Sequence, residues 1–354
     1  MAEDDTPEGA LPLTPDIVKA AYHLLLGRPP ESPDTLQAGV EFHKDTATLR
    51  KNFAAYPEAR RAMFTLLFDH LPFDDILVKS KRGFQIYINL SDLGVSSEIF
   101  LFDEFEPHNE KLILDTLKPN ETFLDIGANI GWFTLIAAQK IAQDWDESMG
   151  PMGQVIGFEA NINTGKRLMG SVQNSPYRDN IKIYNVALAP QLSVLKFEDI
   201  THGNIGGGQV RQMPDGHISK NHDEIQAKYK DVPDPFGNCK QTIIPAIPLD
   251  TLMADHAQKI GLIKMDVEGS EPFVLRGASE TLKRHKPKIM IEFHKDKLEY
   301  SSDHSAEDVL NLLSDLNYDV YDFQGENTQS LAAADINSIL DHQGYFDFLA
   351  LPRD

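Results

Sequence analysis

The 354 residues suffice for one large domain with an appendage, or for two domains. An apolar fraction of 41% and a charged fraction of 25% are ordinary for a soluble globular protein, and no run reaches the roughly 18–20 apolar residues of a membrane-spanning helix. With 33 basic against 54 acidic residues, the net charge of −21 opposes non-specific binding to nucleic acid or anionic membrane, so the expected partner is a small molecule or a neutral glycan.

The opening MAEDDTPEGA lacks the basic and apolar regions of a secretory signal, which predicts a cytoplasmic location. Residues 14–70 read as helical. Thr14 is placed to cap a first helix and Pro15 occupies its first position, with Val18, Tyr22, Leu25 and Leu26 at helical spacing. Gly27 ends that helix, and Pro29, Pro30 and Pro33 mark a turn. Further helices are expected over 34–42 and 57–68. Residues 1–80 are thus expected as a helical accessory domain without chemistry of its own, a place where a protein partner or a second copy could dock.

From Phe84 onward, strand-like runs alternate with helix-like ones. The strands are expected at 83–90, 122–127, 154–160, 181–189, 261–267, 287–293, 318–323 and 346–351, and the helices at 107–117, 131–142, 163–174, 251–258, 271–284 and 305–316. Such alternation implies an α/β fold over 81–354, with a doubly wound, mostly parallel sheet. Two stretches interrupt it, 143–153 and a Gly-, Asp- and Pro-rich loop at 199–240, whose length marks it as a functional segment that would face a ligand. His202, His217 and His222 in that loop could gather a ligand, although solvent-exposed positions are the plainer reading. Cys239, the only cysteine, can form neither an intrachain disulfide nor a cysteine-based zinc site, and a small loop residue is preferred to a reactive thiol.

The segment ETFLDIGANIGWFT (121–134) places Asp125, Gly127, Asn129 and Gly131 at a strand-to-helix turn. Glycines there let backbone approach a ligand, and in open parallel sheets ligands bind at the carboxyl ends of strands. Asn129 stands where the dinucleotide fingerprint needs its second glycine, which disfavours a nicotinamide-dependent oxidoreductase. Glu159, in GFEAN at the end of the next strand, can accept hydrogen bonds from both hydroxyls of a ribose.

These segments, together with IGLIKMDVEGSEPFVLRGA (260–278) and KPKIMIEFH (286–294), resemble the FkbM family of methyltransferases. FEP at 105–107 and LDTL at 249–252 also fit, and the resemblance runs over about 98–351 in the family's order. It implies a class I Rossmann-like methyltransferase fold and S-adenosylmethionine as cofactor. It further implies methyl transfer to a hydroxyl of a sugar or polyketide-like acceptor, hence an O-methyltransferase acting on a sugar, glycan or glycosylated metabolite. Cofactor roles follow for Asp125, Gly127, Asn129, Gly131 and Glu159, with Ala128 and Ala160 in the same loops and Ala187 near the adenine. AYHLLLGRPP and YPEAR in the N-terminal part look like a small domain found beside bacterial glycan-modifying enzymes.

Methyl transfer from a sulfonium also needs a group that removes the hydroxyl proton. Asp266 and Glu268 follow the fourth strand at the same rim, and His294 follows the fifth, with Glu292 two residues earlier. Asp266 is expected to position acceptor or cofactor, and His294 to act as general base. Glu268 is weighed equally as a catalytic group and as a helix cap, Glu271 is taken as a helix-start charge, and His294 also reads as an ordinary strand-end histidine. Asp266, Glu268 and Glu292 offer hard oxygen donors, so a divalent metal is conceivable. Their spacing matches no metal motif, and no metal ligand is assigned. Trp132 and Phe133 read as packing residues. A non-catalytic adaptor that keeps the fold is the remaining alternative, and the intact loop and rim carboxylates speak against it.

Overall fold

The computed structural model describes residues 13–25, 28–43, 45–53, 56, 59–60, 75–90, 92, 94–199, 209–210, 240–323 and 330–353. Contacts divide the chain into two units, residues 1–74 with 97–102, and residues 75–96 with 103–354. His202, His217, His222 and Cys239 lie outside the described residues. So do most of 199–240 and, apart from residues 59 and 60, the helix expected over 57–68.

In the first unit, α1 (Pro15–Leu25), α2 (Pro33–His43) and an unanticipated α3 (Thr46–Phe53) share a small core of Val18, Leu49 and Phe53. Thr14 caps α1 as its side chain predicts, accepting from Ile17 N–H at 3.3 Å. Tyr22 meets Phe53 edge-on, with ring centroids 5.3 Å apart.

The second unit begins with an antiparallel hairpin, β1 (Asp75–Lys79) and β2 (Gln85–Asn89). Residues 97–102 of α4 (Val95–Phe102) count with the first unit, and α5 (Pro107–Thr116) follows in the second. Then come β3 (Thr122–Ile126), α6 (Trp132–Asp144), β4 (Val155–Phe158), α7 (Ile162–Gln173) and β5 (Ile181–Tyr184). After these, β6 (Ala187–Leu188), β7 (Ser193–Asp199), β8 (Gln209–Val210) and β9 (Lys240–Ile247) form a separate sheet in the order β6-β9-β7-β8. The chain returns through α8 (Leu249–Leu252), β10 (Ile260–Met265), α9 (Glu271–Arg276), α10 (Ser279–His285), β11 (Lys288–His294), α11 (Lys295–Ser302), α12 (Ala306–Asp315), β12 (Tyr318–Tyr321), α13 (Ala333–Gln343) and β13 (Tyr345–Pro352).

The large sheet has seven strands in the order β12-β13-β11-β10-β3-β4-β5, and only β13 runs against the rest. This is the mostly parallel α/β sheet that the alternation predicts. Every residue of β3 and β4 is buried, as strands covered by helices on both faces must be. Ser305 starts α12 with a capping box, bonding Asp308 N–H at 3.2 Å while the Asp308 carboxylate accepts Ser305 N–H at 2.7 Å.

Three expected elements differ. The run 181–189 is not one strand: β5 stays in the large sheet and β6 joins the second, because Asn185 bonds back to the preceding strand's loop and turns the chain. The helix expected over 271–284 is two, broken where a Cβ on Gly277 would stand 2.3 Å from Ala189 O. The helix expected over 251–258 is the single turn α8. No helix among the described residues is long and apolar enough to cross a membrane.

Candidate active site

Four parallel strands end at one rim. Register places Asp125 on β3 beside Gly157 on β4 and Lys264 on β10, so the loops after these strands start level with each other. The loop after β3 is pinned by its backbone. Gly127 and Ala128 both donate to Phe158 O at 2.9 Å, and Asn129 N–H donates to Glu159 Oε2 at 2.8 Å. Gly127 has φ +82°, and a Cβ there would lie 1.8 Å from Asp266 O, so the first and fourth loops touch through a missing side chain. Asn129 holds φ 52° and Gly131, at the start of α6, φ +98°.

Glu159 ties this loop to the next. Its Oε1 accepts Asn161 N–H at 2.7 Å while Oε2 accepts Asn129 N–H, and each oxygen keeps a second lone pair. Burial pushes its carboxyl up to about 7 against the pull of these two bonds. Asn185, which sequence reasoning missed, fixes the backbone behind it by donating to Glu159 O at 2.6 Å and Asn161 O at 3.3 Å. Asp125 is buried; Oδ2 accepts the Thr134 hydroxyl at 2.6 Å, and Oδ1 has no protein partner. Burial raises its carboxyl, with Lys264 opposing. Ala128 is buried, and Ala160 and Ala187 share one small apolar cluster with Ala246.

Asp266 follows β10 and is held by its N–H to Ile126 O at 3.0 Å. Its Oδ2 lies 3.0 Å from the buried Nζ of Lys264. Burial alone would raise the Asp266 carboxyl; Lys264 and a hydrogen bond from Glu292 outweigh it and hold the group below its ordinary value. Lys264 also sits 5.1 Å from the centre of the Phe133 ring. Around this lysine stand Glu106 at the head of α5 and Asp347 on β13, neither paired with it by sequence reasoning, and Glu292 on β11 stands beside Asp266. The one legible hint was a charge inside the apolar strand GLIKMDV, since an unpaired lysine is almost never fully buried.

Glu268, at φ 56°, gives its carboxylate to Lys297 in an ion pair, and its carbonyl accepts the Ser301 hydroxyl at 2.9 Å. The loop N–H groups of Val267 and Gly269 go instead to Glu271 Oε1, at 3.1 and 3.3 Å. His294 ends β11 where α11 begins, with its ring stacked on Tyr345 at 5.9 Å and 17°. It is half-buried, its Nδ1 is enclosed without a partner, and burial keeps its pKa below the ordinary value while Asp296 and Asp266 oppose. Trp132 and Phe133 are buried against Phe84 and Phe105, as packing residues are. Among the described residues, no group of three or more His, Cys, Asp or Glu is arranged to hold a metal ion.

A family model for the methyltransferase FkbM domain matches residues 125–320, more than half of the chain and the stretch that carries Asp125, Glu159, Asp266 and His294. The chain belongs to the FkbM methyltransferase family. Its mostly parallel α/β sheet is Rossmann-like. Among solved structures, an FkbM methyltransferase from Methylobacillus flagellatus is similar at 14% identity and a TM-score of 0.37, over 72% of this chain and 52% of that one. The chain thus spans about half the length of that relative. An O-methyltransferase from Bacillus cereus in complex with SAH is similar at 11% identity and a TM-score of 0.35, over 71% and 83%. A precorrin-6y C5,15-methyltransferase from Geobacter metallireducens is similar at 10% identity and a TM-score of 0.34, over 69% and 86%. No curated protein matches the chain significantly.

Proposed function

We propose that this FkbM methyltransferase uses S-adenosylmethionine and methylates a hydroxyl of a sugar, glycan or glycosylated metabolite. The observation that carries the reading is the pair of carboxyl groups on consecutive strand ends: Glu159 with spare lone pairs on both oxygens, and Asp125 with an unpartnered Oδ1. A ribose diol suits the first and the cationic end of the cofactor the second, while the close-packed 127–131 loop gives the backbone surface between them. Ala160 and Ala187 would flank the adenine. When bound, the cofactor supplies a methyl group activated on sulfur.

The chain's own residues then have two tasks. Asp266, kept anionic by Lys264, orients the acceptor or the cofactor. His294, kept neutral at physiological pH by burial, receives the hydroxyl proton at Nε2, the nitrogen not enclosed, and the Asp266 charge favours the imidazolium that forms. Calorimetric titration with S-adenosylhomocysteine and NAD tests the cofactor. S-adenosylhomocysteine is expected to bind, and Asp125→Ala and Glu159→Gln each to weaken it by about tenfold or more. Binding of NAD alone would reject the reading. With an acceptor found by screening labelled methyl transfer, His294→Ala is expected to lower turnover about 100-fold and leave cofactor affinity within about threefold.

A further inference from the structure

One face of the large sheet gathers more carboxyl groups than its buried lysine can balance. Side chains in register on neighbouring strands share a face. Asp125 therefore lies beside Lys264, and Asp266 follows on that face. The pairing of β10 with β11 ends at Met265↔Ile291; Asp266 and Glu292 are the next residues on the two chains, and Glu292 pairs in turn with Asp347 on β13. From α5, Asn109 Nδ2 bridges Glu106 Oε2 at 2.8 Å and Asp347 Oδ2 at 2.9 Å over the group. Lys297 on α11 stands at the edge, paired with Glu268.

The carboxyl groups of Asp266 and Glu292 stand within hydrogen-bonding reach of each other. Two ionised carboxylates cannot make that bond, so one of them carries a proton. The Lys264 ammonium decides which, because it contacts Asp266 Oδ2 at 3.0 Å and keeps the anion there. Burial, and then the charges of Asp266 and Asp347, push Glu292 well above the usual carboxylate range.

We propose that Glu292 is a positioning residue that stands protonated, donates its O–H to Asp266, and so fixes the direction and the single charge of the carboxylate facing the crevice, with Lys264 as counter-ion. The inference rests on the methyltransferase reading of Asp266. It has a chemical reason: a bound sulfonium cofactor would lose positive charge from sulfur as its methyl group passed to the acceptor oxygen. Fixed anions near sulfur therefore stabilise the ground state more than the transition state. The Asp266 anion orients; a second charge at Glu292 would slow the step.

The test is infrared difference spectroscopy of the full chain at about pH 8.5, above the range in which Glu106, Glu159 and Glu271 titrate. The carbonyl stretch of an undissociated carboxyl is expected in the parent protein, weakened by one carboxyl's share in Glu292→Gln, and unchanged in His294→Ala. Glu292→Gln is expected to bind S-adenosylhomocysteine within about threefold of the parent, since the amide N–H replaces the O–H. A band that keeps the parent's full intensity in Glu292→Gln overturns the proposal, since Asp125 and Asp347, which burial also raises, contribute equally to both proteins. So does a loss of affinity of about tenfold or more in Glu292→Gln, which would make Glu292 an ionised ligand of the cofactor's cationic end. Failure of the parent to bind S-adenosylhomocysteine would sink the methyltransferase reading instead, while the infrared bands still decide the carboxyl pair.

Discussion

At Gly127 two costs coincide, a left-handed backbone at φ +82° and a Cβ position 1.8 Å from Asp266 O. The obstacle is backbone on a neighbouring strand end, so it cannot rotate away. Gly83 has a similar φ of +98° with nothing within 4 Å, and it isolates the first cost from the second. Gly83→Ala is expected to destabilise by about 1 kcal/mol, the cost of the conformation. Gly127→Ala should cost about 3–4 kcal/mol or prevent folding. Urea denaturation of both variants checks this, and equal losses would mean that the two loops are not in contact. At this scale DIGANIG and GFEAN were legible because their signals are local: glycines and a carboxylate at the end of an apolar run. Lys264, Glu106, Asp347 and Glu292 were not legible as a group, because four different elements bring them together.

Elements were legible where periodicity and capping agreed, as in α12 with its Ser305–Asp308 box, and in the strands buried on both faces. They were misread where a tertiary bond overrides an unbroken pattern. IKIYNVALA alternates well enough to be one strand, and only the Asn185 carboxamide, reaching back to Glu159 O and Asn161 O, shows why it stops. This gives Asn185 a consequence for ligand binding. Asn185→Ala removes both bonds from the segment that carries Glu159, with a stability loss of about 1–2 kcal/mol. S-adenosylhomocysteine affinity is expected to fall about fivefold or more, measured by calorimetry at a temperature where the variant remains folded. Unchanged affinity would show that Glu159 keeps its place without this support. The sheet of β6 to β9 escaped sequence reasoning for a related reason: β6 has two residues, too short for any period to register.

Across the whole second unit, buried titratable groups of two kinds oppose each other. Glu106, Glu159 and Glu271 are pushed up to about 7 by burial, so the fold holds protons that the unfolded chain has released. Their stabilising contribution is complete below the unfolded value near 4.5 and is lost as pH rises through about 7. His285 is pushed down to about 4 by burial and by Arg284, and burial also lowers His256; here the unfolded chain holds the extra proton. Their contribution is present above the unfolded value near 6.5 and is lost as pH falls toward 4. Between about pH 4.5 and 6.5 the two trends offset each other, and above about 6.5 only the carboxyl groups still change, so stability is expected to decline from pH 6.5 to 8. Glu271 isolates the effect. Its Oε1 accepts two loop N–H groups and its Oε2 is enclosed without a partner, so Glu271→Gln keeps the geometry of the protonated form and cannot ionise. The stability of Glu271→Gln relative to the parent should therefore grow by roughly 2 kcal/mol between pH 5 and pH 8 and level off beyond. Urea denaturation at each pH measures it. A difference that stays constant over this range would mean that Glu271 is already ionised in the fold, with the N–H bonds from Val267 and Gly269 outweighing its burial.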